Sequence, residues 1–125
     1  MDERPSRMPI RILIGSVGEA EGELVRFSAP LTIGAIMRRM PVEGRAYPQR
    51  GGYSFIVGLR RGTEKAVKSV KEGDIAYWPM GDAINIYTSD STTVNPVNTI
   101  GRVTSGFELF NDLKSGTRIK FELVK

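Results

Sequence analysis

Gly73-Asp74-Ile75-Ala76-Tyr77-Trp78-Pro79-Met80-Gly81-Asp82-Ala83-Ile84-Asn85-Ile86-Tyr87 holds the only tryptophan of the chain and two of its four tyrosines. A Gly-Asp turn leads into an apolar strand, and Pro79-Met80-Gly81 breaks it. A second strand then sets Ile84 and Ile86 on one face against Ala83, Asn85 and Tyr87 on the other, because side chains alternate across a strand. Aromatic rings therefore gather where the backbone reverses. Two readings stand for Tyr77, Trp78 and Tyr87: walls of a pocket, or rings packed in a core with their polar tips hydrogen-bonded. Asp74, beside Gly73 in the turn, reads as an acceptor for nearby backbone amides and not as a catalytic acid.

Outward from this hairpin, short strand patterns recur. Ile10 to Ile14 and Glu23 to Phe27 flank an acidic, glycine-bounded turn over 15–22 and read as a first hairpin. Tyr53 to Leu59 reads as a strand that turns at Arg60–Glu64 and pairs with the alternating segment Lys65 to Val70. Val97 to Val103 reads as a strand interrupted at Gly101, and Arg118 to Leu123 as a last strand whose apolar face holds Ile119, Phe121 and Leu123. Thr32 reads as the N-cap of a helix with Ile33, Ile36, Met37 and Met40 at helical spacing, ending before Pro41. Phe107 to Leu113 suits one or two more helical turns. Pro41 to Gly52, rich in Pro, Gly and Arg, reads as a long shaped loop, and Thr88 to Pro96 as a polar one. Residues 1–9 read as a charged tail, leaving 10–125 as one domain. The expectation is a mainly β fold, seven or eight strands closed or nearly closed into a barrel, with one main helix and one short helix.

With 125 residues the chain suits one core that buries roughly two-thirds of its unfolded surface. There is no cysteine, which excludes disulfides, thiolate metal sites and a cysteine nucleophile. There is no histidine either, which removes Ser-His-Asp chemistry and the usual zinc sites. No metal site and no cofactor are expected: a hard cation held by Asp82, Asn85 and Asp90 would need more oxygen ligands than this sequence arranges. No apolar run approaches the ~18 residues of a membrane span, and the N-terminus lacks a signal-peptide pattern, so a cytoplasmic location is expected. Net charge is +4, with nine basic residues between Arg38 and Lys71 against two acidic ones, Glu43 and Glu64. Such a middle segment suits acidic partners or solvated turns. No nucleic-acid motif accompanies it, and nucleic acid is not an expected partner.

Two segments resemble cyclophilins. Ala29-Pro30-Leu31-Thr32-Ile33 is similar to the Ala-Pro-x-Thr-Val start of the first cyclophilin helix, and Val97 to Glu108 is similar to a cyclophilin strand-and-turn segment. Gly73-Asp74-Ile75-Ala76-Tyr77-Trp78-Pro79, followed in order by Val97-Asn98-Thr99-Ile100-Gly101, more closely resembles a family of small, largely uncharacterised prokaryotic cyclophilin-like proteins. The resemblance implies a compact eight-stranded barrel with capping helices. It also implies a peptidyl-prolyl isomerase fold, but the chain departs from the catalytic pattern. Where cyclophilins carry Phe-His-Arg, this chain has Gly44 to Gly52 without histidine. Where the smaller family carries Trp-Gly-x-Glu, it has Arg50-Gly51-Gly52-Tyr53.

The sequence thus points to a non-catalytic module that holds a small molecule or an extended, proline-containing peptide in an aromatic cleft. The candidate ligand-binding residues are Arg45, Tyr47, Arg50, Tyr77, Trp78 and Tyr87, with no catalytic residue assigned. One alternative is a weak prolyl isomerase. It would use Arg50 or Arg45 as a donor to the proline nitrogen above an aromatic floor, since that barrier falls when the amide loses resonance. The other is an interaction protein that binds acidic partners through its basic middle. Oligomeric state has no signal in the sequence.

Overall fold

The structure, a computed structural model, describes residues 6–124. Its strands are β1 (Arg7–Ile14), β2 (Gly18–Val25), β3 (Val42–Gln49), β4 (Gly52–Ile56), β5 (Val67–Val70), β6 (Asp74–Trp78), β7 (Ala83–Tyr87), β8 (Ser91–Ser105) and β9 (Thr117–Leu123). Neighbours run β2-β1-β9-β3-β4-β7-β6-β8, and β8 pairs back onto β2. Eight antiparallel strands thereby close a barrel, and β5 adds to β8 outside the ring. Among the described residues no helix is long and apolar enough to cross a membrane.

Strand alternation builds the interior. Ile10, Ile12 and Ile14 of β1 point inward while Arg11 stays outside, and Ile75, Tyr77, Ile84 and Ile86 do the same in β6 and β7. Phe55 and Phe121 meet edge to face inside the ring, 5.4 Å between centroids. Helix α1 (Pro30–Arg39) adds Ile33 and Ile36 to the same core, and a 3-10 turn at Phe107–Phe110 adds Phe110. Pro30 sits in the first turn, where its missing N–H costs nothing, and Arg38 and Arg39 occupy the last turn, where the helix dipole favours cations.

Several sequence expectations need correction. Residues 41–52 are not a long loop: they form β3, the two-residue turn Arg50-Gly51, and the start of β4. The inward positions of β3 are Val42, Gly44 and Ala46, too small to give an apolar pattern. A Cβ on Gly44 would lie 3.3 Å from Phe55 Cβ and 3.0 Å from Ile56 O. The turn read over 15–22 shrinks to Gly15–Val17 for the same reason, since β2 turns Ala20 and Gly22 inward. Residues 91–96 belong to β8 and not to a loop. Lys65 to Val70 supplies β5, which pairs with β8 and not with 53–59, because β3 and β7 already occupy both edges of β4. The helix begins at Pro30, and Thr32 lies within its first turn instead of capping it. β1 begins at Arg7, within the stretch read as a tail, whose first five residues lie outside those described.

The irregular segment 57–66 is tied to the barrel by buried and half-buried polar groups. Asp82 Oδ1 accepts from Leu59 N, Arg60 N (both 2.9 Å) and the Tyr77 hydroxyl (2.6 Å), and Tyr77 in turn accepts from Arg61 N at 3.1 Å. Asn98, wholly buried on β8, accepts from Glu64 N (2.8 Å) and donates to Gly62 O (3.0 Å) and Thr32 Oγ1 (3.1 Å). The Glu64 carboxylate accepts from Leu31 N, Thr32 N and the Thr32 hydroxyl, so it caps α1 from a distance where Ala29 has no side chain to do so.

These bonds predict a contribution to stability that is lost in acid. Burial alone pushes the Glu64 carboxyl up, but the Leu31 and Thr32 N–H groups, the Thr32 hydroxyl and Lys65 outweigh it and hold the group below its ordinary 4.5. At Asp82 burial is likewise outweighed, by the Tyr77 hydroxyl, the Arg60 and Leu59 N–H groups and the Arg60 charge, and the carboxyl sits below 3.8. Both groups bind protons more weakly folded than unfolded. Their contribution is therefore complete above the unfolded values and is lost as pH falls through the lower folded ones. Melting curves across pH 2 to 6 are expected to show the midpoint dropping most steeply below about pH 4, with a flatter acid limb in Glu64→Gln/Asp82→Asn. Superimposable limbs for the two proteins would overturn this assignment. Tyr77 behaves oppositely: burial first, then its bond to Asp82, pushes the hydroxyl up to about 12, so its contribution is complete below 10 and lost as pH rises through the folded value.

Candidate ligand-binding cleft

The outer faces of four adjacent strands form a ruled surface. The rung Tyr47–Ser54–Asn85–Ala76 crosses β3, β4, β7 and β6, the rung Ile56–Ala83–Trp78 lies on one side of it, and Gln49–Gly52–Tyr87 on the other. Gly52 lets β4 and β7 close up at that last rung, since a Cβ there would lie 2.9 Å from Tyr87 Cα and nearer still to Ile86 O. Over part of the surface lies the ribbon of β5 and the first half of β8. Val70 and Val97 from the ribbon pack on Ala76 and Tyr87, with Trp78 at the border of this small second apolar cluster.

The ribbon carries an irregularity that shapes the cleft. Val67 pairs with Val97 and Ser69 with Thr92, so residues 93–96 of β8 bulge out of the ladder. Bulges re-aim side chains at sheet edges, and Pro96, which has no N–H to donate, suits one. The bulge, with Gln49, Arg50, Trp78, Asn85 and Tyr87, encloses a concavity of about 210 Å³. On the other side of Trp78 a larger concavity of about 490 Å³ is lined by Arg45, Tyr47, Ser54, Ile56, Gly81 and Ala83. Trp78 is the one residue that lines both. Its half-buried ring rests on Gly81, where a Cβ would lie 2.8 Å from Trp78 Cδ2 and closer to Cε3 and Cζ3. Tyr47 and Ile56, 52% and 72% exposed, continue the apolar wall of the larger side.

The six residues singled out in the sequence divide between three places. Arg45, Tyr47 and Trp78 meet at the larger concavity, while Arg50, Trp78 and Tyr87 meet at the smaller. Tyr77 faces the barrel interior, wholly buried, where its hydroxyl anchors Asp82 and the 57–66 segment, away from the cleft. The two arginines flank Trp78 from opposite sides, with Arg45 Nη1 donating to Gly116 O at 3.1 Å. Asp74 Oδ2 accepts from Lys71 N within its turn. The basic middle residues are dispersed over the end of α1, β3, the β3–β4 turn, the 57–66 segment, β5 and the turn after it.

Sequence reasoning missed Gln49, Ser54, Ile56 and Asn85. Asn85 carried a signal, a strand-disfavoured amide between Ile84 and Ile86 that shares the parity of Tyr87. Gln49 and Ser54 carried none, because their place depends on the β3–β4 pairing.

The cyclophilin-like family model matches residues 8–122. No curated protein sequence matches the chain. The hypothetical protein AF2241 of Archaeoglobus fulgidus, known from a solution structure, is 28% identical, with a TM-score of 0.80 over 99% of this chain and all of that one. McbB, solved in complex with tryptophan, shares the fold at 10% identity, with a TM-score of 0.74 over 90% of this chain and 44% of that one.

Proposed function

The chain belongs to the cyclophilin-like family, and from that premise we propose that it is a non-catalytic binding module whose ligand, a small molecule or an extended peptide, lies across Trp78 on the outer face of the barrel. The observation that carries this reading is the position of Trp78, half-buried and shared by two concavities outside the closed core. An aromatic ring so placed offers a large apolar contact at little entropic cost, and the flanking Arg45 and Arg50 suit an anionic or carbonyl-bearing end. The lack of histidine and the inward place of Tyr77 support binding over isomerisation.

Trp78 is the only tryptophan, so its emission reports the cleft directly. Titration with a blocked tetrapeptide containing proline and a terminal aromatic residue is expected to shift that emission. In calorimetry Trp78→Ala is expected to weaken binding at least about tenfold, with the far-ultraviolet spectrum unchanged because the ring lies outside the main core. Undiminished binding by Trp78→Ala sinks the reading. The same peptide in a protease-coupled assay separates the isomerase alternative, which has one observation in its favour, the shared concavity of Arg50 with Trp78 and Tyr87. No acceleration is expected. Acceleration that disappears in Arg50→Ala would establish the alternative.

A further inference from the structure

Arg45 of β3 and Arg118 of β9 are direct partners in the strand ladder. Both side chains stand on the outer face of the barrel, since their neighbours Ala46 and Ile119 are wholly buried in the core. Like charges set directly opposite each other destabilise a strand pair. Elsewhere on the barrel wall arginines are neutralised, Arg7 and Arg102 by Glu23, and Arg11 by Glu19 and Glu122. Among the described residues Arg45 and Arg118 have no such carboxylate. Glu43, one rung away, lines the same concavity of about 240 Å³ without pairing with either, and Lys120 opposite it turns to Glu122 at 3.5 Å. Arg45 also lines the larger concavity with Tyr47, Ile56 and Trp78, so the two spaces share one guanidinium. Its Nη1 donates to Gly116 O at 3.1 Å, which holds the group over the start of β9 and leaves the rest of its fork for a ligand.

We propose that Arg45 and Arg118 form a carboxylate site at one end of the Trp78 cleft, so that the ligand is an acid whose apolar or aromatic body lies over Ile56, Ala83 and Trp78. The assignment rests on the binding reading above. It adds the ligand's charge, its direction along the cleft, and Arg118, which lines neither concavity beside Trp78. Two guanidinium groups facing one space suit an anion that accepts from both, and such charge-assisted bonds are stronger than neutral ones. With two arginines against one glutamate the space has a net charge of +1, which a carboxylate neutralises and a phosphate dianion exceeds. Length gives a second constraint. β3 and β6 are three strand spacings apart, roughly 14 Å, which about four extended residues at ~3.3 Å each would span. A tetrapeptide with its carboxylate at the arginines therefore reaches Trp78 with its first side chain.

The test is calorimetry with two matched pairs: an N-acetylated tetrapeptide beginning with phenylalanine and containing proline, as free acid and as C-terminal amide, and 4-phenylbutyrate with 4-phenylbutyramide. The acid is expected to bind about tenfold tighter than the amide at low salt, and the advantage to shrink to about threefold at high salt. Preference in the peptide pair alone identifies a chain terminus as the source of the carboxylate, in the small pair alone a free acid, and in both any carboxylate on an apolar body. Arg118→Gln is expected to cut the preference to about threefold at low salt, whereas Arg102→Gln, which removes the same charge from an arginine paired with Glu23, leaves it in place. Without ligand, Arg118→Gln is expected to melt no lower than the unmodified protein, because it relieves a like-charge rung. A lower midpoint would assign Arg118 to the fold and remove the ground for the site. No preference in either pair, an equal loss in Arg102→Gln, or tighter binding of 3-phenylpropyl phosphate than of 4-phenylbutyrate overturns the proposal. If acid and amide bind equally and both still shift the Trp78 emission, the cleft reading stands and only the carboxylate site falls; if no probe shifts it, both fall.

Discussion

Gly101→Ala is expected to destabilise the protein by about 3 kcal/mol or more, which lowers the thermal midpoint by about 12 °C for a chain of this size. Gly101 lies on β8 opposite Leu24 of β2, at the seam that closes the barrel. A Cβ there would stand 2.9 Å from Glu23 C and 3.0 Å from Leu24 Cα, and nearer still to Glu23 O. All three are backbone atoms, which no rotamer change can clear. On the other strand Gly22 meets the same crowding, 2.8 Å from Arg102 O. Register shifts in β8 against both β2 and β6 bend the strand here, so the seam is closed by glycine and bulges acting together. Gly62→Ala is the control: nothing lies within 4 Å of its Cβ, and its midpoint is expected to move by no more than the equivalent of about 0.5 kcal/mol. Calorimetric melting of the two variants beside the unmodified protein checks the prediction, and equal midpoints for Gly101→Ala and Gly62→Ala would refute it.

Asp82→Ala is expected to cost about 3–4 kcal/mol and to release the 57–66 segment. Three donors converge on one carboxylate oxygen, and hydrogen bonds to a charged group contribute about 1.5–3 kcal/mol each, although bonds to a shared atom do not add. The substitution also strands the buried Tyr77 hydroxyl proton. Backbone conformation adds to the cost, since Asp82 has φ +51°, a region where Asp and Asn are tolerated better than Ala. Asp82→Asn keeps that tolerance and one acceptor, and about half the loss is expected. The local effect has its own readout: Arg60 and Arg61 are exposed in the segment that Asp82 and Tyr77 hold, so trypsin is expected to cut there much faster in Asp82→Ala. Wild-type melting together with wild-type resistance to trypsin would rule out the anchor.

The legible parts of the fold are those where apolar side chains fill the barrel. Ile10 to Ile14, the β6–β7 hairpin and Ile119 to Leu123 alternate openly, and their strands lie where the alternation puts them. The illegible parts are strands whose inward positions are Gly or Ala. Ala20 and Gly22 in β2, and Gly44 and Ala46 in β3, keep a period of two in size and burial but not in hydrophobicity, so they read as turn and loop. Residues 91–96 are hidden for another reason: they form a ribbon outside the barrel, where polar Ser and Thr can occupy a strand. The cleft was half visible because aromatic residues mark it. The hairpin parity put Tyr87 on the face opposite Ile84 and Ile86, and Tyr77 and Trp78, adjacent in sequence, necessarily face opposite sides of β6, so only one of them can reach an outer cleft.

The position of β9 between β1 and β3 has a consequence for the order in which the molecule is built. Ile10 pairs with Leu123 and Val42 with Phe121, so β1 and β3 wait for a partner that is synthesised after all the other strands of the barrel. Until then β1 and β3 each present an unpaired edge, the kind of surface on which nascent chains associate wrongly. Contacts so distant in sequence also slow the search for the native state, because the loop must close before the pairing can reward it. A barrel without free edges in the ring once complete is, during its own assembly, an open sheet with its last stave missing.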